Sequence, residues 1–171
     1  MTHNLVYEDF WVCGIHIKEM KMNIALASDH AGYELKRSII AYLREKGIAH
    51  WDFGCNSEES VDYADYAEKA MNGILSGEHD RAILVCGSGL GMAIVANKFR
   101  GIRATPCTDG YLSEMSRRHN DSNCLTLGGR ILPLDEALHI VDIWLETGYE
   151  GGRHQRRIDK ISRIEEKNFK A

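Results

Sequence analysis

The chain has 171 residues, 44% of them hydrophobic and 27% charged, with a formal net charge of −4. That length fits one domain, able to bury about 70% of its unfolded surface without disulfide or metal staples. The acidic balance argues against a nucleic-acid binder, and no apolar run approaches the ~18 residues of a membrane-spanning helix.

Residues 1–21 hold Phe10, Trp11 and two histidines but no clear element signal. They are expected to be an N-terminal extension, disordered or loosely attached, with Met20 or Met22 as the natural start; an added edge strand is the other reading. From Asn23 the chain alternates strand and helix, and residues 22–171 read as a single domain. Ile24 to Ala27 is an apolar strand. Leu35, Ile39 and Leu43 make a helical stripe that stops at Gly47. Ala49 to Phe53 is a short strand. Ala67, Ala70, Met71, Ile74 and Leu75 recur at i, i+3, i+4, i+7 and i+8, and Gly77 ends that helix. A strand from Ala82 runs into Cys86-Gly87-Ser88-Gly89-Leu90-Gly91 and then into a helical pattern. Ile102 to Cys107 and Cys124 to Leu127 are the fourth and fifth strands, with a helix from Tyr111 to Arg118 between them. Ala137 to Leu145 is helical, and a charged helix runs from about Arg156 to Lys167.

Five strands alternating with helices predict a parallel sheet covered on both faces, a three-layer α/β/α sandwich. Right-handed crossovers bring all strand C-termini to one edge, where such sheets bind ligands. The residues to inspect are therefore Ser28-Asp29-His30, Cys86 to Gly91, Cys107-Thr108-Asp109 and Gly128-Gly129-Arg130. The Cys86 loop is the most informative. A strand, a glycine turn and a helix start form an anion site, because free N–H groups and the helix dipole face the ligand. Its spacing is neither a dinucleotide fingerprint nor a Walker loop, since Met92 stands where the third glycine belongs and no Gly-Lys-Ser/Thr follows. A thiol phosphatase would place arginine at position 92. What remains is a site for phosphate or a developing oxyanion, with Cys86 as candidate base or nucleophile; the plainer reading is a tight turn with a buried structural cysteine.

Other constellations carry the same two readings. Asp29 is a helix N-cap or part of an Asp-His pair at the edge. Ser116 to Asn123 is a polar capping turn or a cluster of site groups. Gly151 to Arg157 is a solvated helix start or a basic cluster whose forked donors suit phosphate. Cations cost stability at a helix N-terminus unless an anion compensates, which weakens the first. Cys107 is the rival thiol, without a glycine turn behind it. Five cysteines, including Cys13, form an odd set with no C-x-x-C pair and no zinc spacing. The N-terminus has acidic residues and no long apolar core, so a reduced, cytoplasmic protein without structural metal is expected.

Taken together, Ala27-Ser28-Asp29-His30-Ala31-Gly32, Asp62-Tyr63, the Cys86 loop, Ala96-Asn97-Lys98, Gly101-Ile102-Arg103, His119-Asn120-Asp121 and Gly152-Arg153-His154 resemble the ribose/galactose phosphate isomerase family, and within it the type B ribose-5-phosphate isomerases. The likeness runs from Met22 to about Ile164. It implies a flavodoxin/Rossmann-like sheet of order 2-1-3-4-5, and a homodimer or dimer of dimers with active sites across the subunit interface. The implied reaction is aldose–ketose isomerisation of a phosphorylated sugar in carbohydrate metabolism, with ribose 5-phosphate and ribulose 5-phosphate of the pentose phosphate pathway as the expected pair. Galactose, allose or tetrose phosphates are the alternatives, and a non-enzymatic sugar-phosphate binder is a third. No metal or organic cofactor is implied.

The resemblance also assigns roles. Cys86 is the base, since Met92 cannot replace the glutamate that serves one branch. The amides of Gly87, Ser88, Gly89, Leu90 and Gly91 hold the enediolate, beside the Ser88 hydroxyl where threonine is more usual. His119 opens the sugar ring, aided by Asp29. His30, Arg130, Arg153 and Arg157 clamp the phosphate, with His154 also binding substrate. Asn120 binds a sugar hydroxyl and Tyr63 lines the pocket. Ala64 stands where proline is common, which bears on loop shape.

Overall fold

The structure is a computed structural model that describes residues 7–12, 15–20 and 22–169. Strands β1 (Tyr7–Val12) and β2 (Ile15–Met20) pair antiparallel as a two-stranded sheet of their own. The rest of the N-terminal extension, residues 1–6, 13–14 and 21, lies outside the described residues.

The body of the chain follows as β3 (Asn23–Ser28), α1 (Tyr33–Glu45), β4 (Ala49–Asp52), α2 (Tyr63–Leu75), β5 (Arg81–Cys86), α3 (Leu90–Ala96), β6 (Ala104–Pro106), α4 (Gly110–Asn120), β7 (Cys124–Gly128), α5 (Leu134–Glu146) and α6 (Gln155–Asn168). Strands β3 to β7 form one parallel sheet in the order β4-β3-β5-β7-β6. Side chains alternate across it because the strand period is two. Ile24, Leu26, Ile83, Val85, Leu125 and Leu127 face Leu35, Ile39 and Leu43 of α1 and Ile140, Val141 and Trp144 of α5. Ala25, Ala27, Ala82, Leu84 and Cys124 face Ala67, Ala70 and Met71 of α2 and Met92 and Ala96 of α3. One layer packs on branched side chains and the other largely on alanines. Truncating a fully buried leucine such as Leu125 to alanine should cost about 2–5 kcal/mol.

The three-layer α/β/α sandwich is as expected, and the strand order is a correction. Numbered within this sheet, the order is 2-1-3-5-4 rather than 2-1-3-4-5. β7 is buried at all five positions, which suits an inner strand flanked on both sides. β6 is three residues long and ends in Pro106, which has no N–H for a ladder and is tolerated at a sheet edge. The last strand in the chain therefore pairs with β5, and the shorter β6 takes the edge.

Candidate active site

The turn after β5 is built around Cys86. Gly89 caps α3 in the left-handed region (φ +79°), a conformation that glycine adopts without a Cβ penalty. That fold-back aims the Gly89 N–H at the sulfur of Cys86, 3.2 Å away. A thiolate accepts such a bond more strongly than a thiol, because a charged acceptor strengthens it. The carbonyls of Cys86 and Gly87 accept from the N–H groups of Gly129 and Arg130 at 2.8 and 3.1 Å, which stitches the turn after β7 to the thiol loop. Ser88 is exposed, and its hydroxyl oxygen accepts from Leu90 N–H at 3.4 Å. Met92 is fully buried in the core, so no base reaches the site from that position.

The turn after β3 presses against this loop. Asp29 is buried, and its Oδ1 accepts from Gly32 N–H at 2.9 Å, so it does cap the short 3₁₀ turn His30–Gly32. Its own N–H donates to the carbonyl of Val85 at 3.1 Å. A Cβ on Gly32 would sit 2.4 Å from that same carbonyl oxygen, so only glycine allows the two turns to meet. His30 accepts the Val61 N–H on Nδ1 at 3.2 Å, which places the proton of the neutral ring on Nε2. Tyr63 opens α2 with its ring over Gly91, where an added Cβ would lie 2.8 Å from the phenol carbons. The Arg130 side chain lies along Gly87. Cys86, Ser88, Asp29, His30, Tyr63 and Arg130 are thus all carried by turns or helix starts at the C-terminal edge of the sheet.

His119, Asn120, Arg153, His154 and Arg157 are elsewhere in the same chain. α4 leaves the C-terminal edge and runs back, so His119 and Asn120 end it beside Arg103 and Asn123, which lead into β6 and β7. The five residues of β7 put about 13 Å or more between that place and the Cys86 edge. There the rings of His119 and His154 stack, with centroids 4.1 Å apart and planes within 5°. Glu150 lies against both, its Oε2 3.9 Å from His119 Nε2 and 3.5 Å from His154 Nε2. Arg118 donates to Glu150 at 2.6 Å and to Glu114 at 2.7 Å. Arg153 donates to His154 Nε2 at 3.2 Å, and Arg157 approaches its Nδ1 at 3.5 Å. Desolvation, then the positive neighbours His119, Arg153 and Arg157, hold His154 below the usual imidazole range. Bonding from Arg118 holds Glu150 below the usual carboxylate range.

A family model described as Ribose/Galactose Isomerase matches residues 24–161. The chain belongs to that family. It is 46% identical to ribose-5-phosphate isomerase B of Escherichia coli over 144 residues, 84% of this chain and 97% of that one. The structure of ribose-5-phosphate isomerase B from Clostridium thermocellum superposes with a TM-score of 0.84 at 51% identity, covering 85% of this chain and 99% of that one. A ribose-5-phosphate isomerase B from Mycoplasma genitalium, solved with bound ribulose-5-phosphate, gives a TM-score of 0.83 at 38% identity, covering 88% and 100%.

Burial raises the thiols of Cys107 and Cys124 above the ordinary range, which leaves the rival Cys107 a poor base. His119, Glu150 and His154 place a ligand atom each within 4.8 Å of one another, a spacing a metal ion could span. Arg118 and Arg153 already take the carboxylate and the imidazole lone pair, so guanidinium charge fills that role. Among the described residues no helix is long and apolar enough to cross a membrane.

Sequence reasoning missed Glu150; a lone carboxylate just ahead of Arg153-His154 was the available signal. It also missed Lys36, fully buried, which donates to Asp52 Oδ1 at 2.5 Å and to the Cys55 carbonyl at 2.7 Å. That pair fixes the segment after β4 beneath Ser28, and an isolated lysine on an apolar helix stripe gives no hint of it.

Proposed function

We propose that this chain interconverts ribose 5-phosphate and ribulose 5-phosphate by way of an enediolate, with Cys86 as the base. The observation that carries the reading is the sulfur of Cys86 at the strand end, under the Gly89 N–H and beside the start of α3, whose first N–H groups have no intrahelical partner. The thiolate takes the proton from the carbon beside the carbonyl of the open-chain aldose. Negative charge moves to the carbonyl oxygen, where the amides of residues 87–91 and the Ser88 hydroxyl hold it. A proton then passes from the C2 hydroxyl to the oxygen on C1, the abstracted proton returns from the thiol to C1, and the C2 oxygen becomes the ketose carbonyl. A positioned base supplies roughly 10²–10⁴ in rate and each oxyanion donor roughly 10²–10³. His119, aided by Asp29, moves the proton that opens the ring. His30, Arg130, Arg153 and Arg157 bind the phosphate, His154 lies beside them, Asn120 takes a sugar hydroxyl and Tyr63 covers the pocket.

These groups form one site only if a second copy brings its His119 edge to the Cys86 edge of the first. Two observations support a homodimer of that kind. The two half-sites sit at opposite sheet edges, further apart than one sugar phosphate spans. Leu90, Ile94, Tyr111 and Ile131, which follow the ends of β5, β6 and β7, are each more than half exposed. The four free described cysteines suit a reducing compartment such as the cytoplasm.

The activity is tested by a coupled isomerase assay on a panel of sugar phosphates with EDTA present. Ribose 5-phosphate should rank first by kcat/KM, and loss of turnover on chelation would count against metal-free chemistry. The shared site is tested by mixing Cys86→Ala and His119→Ala chains. Each homodimer should be nearly inactive, while random exchange in a two-fold dimer restores about a quarter of wild-type activity, one intact site in half the dimers. No recovery after subunit exchange would place both groups in one protomer.

A further inference from the structure

We propose that Asp121, gripped by Arg103 and Arg117, is a positioning residue for His119 and Asn120. The inference rests on the isomerase reading, which gives those two residues to the sugar. Asp121 follows the last turn of α4 with φ +44° and ψ +49°, and it is the one non-glycine residue with positive φ among the described residues. Its N–H closes the helix onto the Arg117 carbonyl at 3.1 Å. Its carboxylate is shared: Oδ2 accepts from Arg103 at 2.9 Å and Oδ1 from Arg117 at 2.9 Å.

Both arginines go on to hold backbone. Arg103 Nε donates to the carbonyls of Asn120 and Asp121 at 3.0 and 2.9 Å. Arg117, almost fully buried, donates to the carbonyls of Ser122 and of Thr147, the latter at 3.3 Å. Arg103 is itself fixed at the entry to β6, where its N–H donates to Asn123 Oδ1 at 2.7 Å. The turn is therefore held from α4, from the entries to β6 and β7, and from the segment that leads to Glu150 and Arg153.

Ending a helix needs only a glycine or asparagine in the left-handed conformation. Two partly desolvated guanidiniums on one capping carboxylate exceed that need. What they fix is the direction in which the last two residues of α4 point. Those residues are His119, one-third exposed, and Asn120, which is exposed. They must meet a sugar held by another chain, and a misplacement of about 1 Å can cost 10²-fold in rate.

The test is Asp121→Asn, which keeps a residue at ease with positive φ but removes the charge. Arg103→Lys is the second variant; it keeps a cation but not the fork that reaches two carbonyls at once. Each should lower kcat/KM for ribose 5-phosphate by about 10- to 100-fold, mainly through kcat, in a chain that stays folded by circular dichroism. In a His119→Ala/Asn120→Ala background the same changes should add less than about twofold, because the groups they aim are gone. Near-wild-type kinetics in both folded variants would overturn the proposal. So would a full penalty that persists in the double-alanine background, the signature of a general structural role. The parent reading fails by a different result, wild-type turnover by the His119→Ala/Asn120→Ala chain itself.

Discussion

The two edges of the central sheet are made of different materials. At the C-terminal edge the turns after β3, β5 and β7 interlock through backbone: Gly129 and Arg130 N–H groups on the Cys86 and Gly87 carbonyls, Asp29 N–H on Val85, and glycines wherever two turns touch. At the other edge the structure is held by side-chain charge, with Glu150 among Arg118, His119 and His154, and Asp121 between Arg103 and Arg117. The first edge should be sensitive to added atoms and the second to altered charge. An enediolate needs fixed donors at short range, which the first edge would supply, and a phosphate dianion needs countercharge, to which the second would add Arg153 and Arg157 beside His30 and Arg130.

The sharpest break is Cys86→Ala. It removes the proposed base and the acceptor of the Gly89 N–H but keeps the backbone bonds from Gly129 and Arg130 to the loop, so kcat should fall by about 10²–10⁴ in a normally folded protein. Normal turnover would remove Cys86 from the mechanism. At the opposite edge Arg157→Ala should act differently. Losing charge-assisted bonds worth about 1.5–3 kcal/mol should raise KM for ribose 5-phosphate by about 10- to 100-fold and leave kcat nearly unchanged. A large drop in kcat with constant KM would contradict a binding role.

Gly32→Ala probes the backbone edge through stability. The new Cβ would meet the Val85 carbonyl oxygen at 2.4 Å, and displacing backbone there should cost about 1–3 kcal/mol in urea unfolding, with activity lost alongside. An unchanged midpoint would show that the turns can slide apart freely.

The smallest effect concerns pH. His154 is held below the ordinary imidazole range when folded, so the unfolded chain takes up its proton more readily. Its contribution therefore grows as pH rises through the unfolded value of about 6.5, and acid removes it. A His154→Asn chain should show a flatter dependence of Tm on pH between about 5 and 7. An identical slope would mean that another group controls that window.

The fold was legible wherever a strand was an apolar run and a helix kept its stripe. The expected strand from Ala82, the helix from Ala67 and the last charged helix all appear within a few residues of their expected ends. The order of the last two strands was not legible from periodicity, because both read as short apolar runs. Pro106 and the unbroken burial of Cys124–Gly128 explain the outcome, and only the proline is visible in the sequence. The Cys86, Asp29 and Arg130 edge was legible because topology alone sends strand ends to one place. The His119 cluster belongs to the other edge because α4 spends its eleven residues, about 16 Å of helix, travelling back across the sheet. Glu150, Asp121 and Lys36 draw on Arg118, Arg103 and Asp52, which lie 32, 18 and 16 residues away, and no local pattern encodes those pairings.

The outer margin of the sheet carries one more consequence. Cys107 donates its N–H inward to Thr126, and successive residues alternate in direction, so Pro106 faces away from β7. The free rim thus lacks a hydrogen-bond donor where a stray strand from a neighbouring molecule would try to zip on. A rim finished in this way resists strand addition from that side, and it leaves the proposed pairing of two copies to helical and loop surfaces.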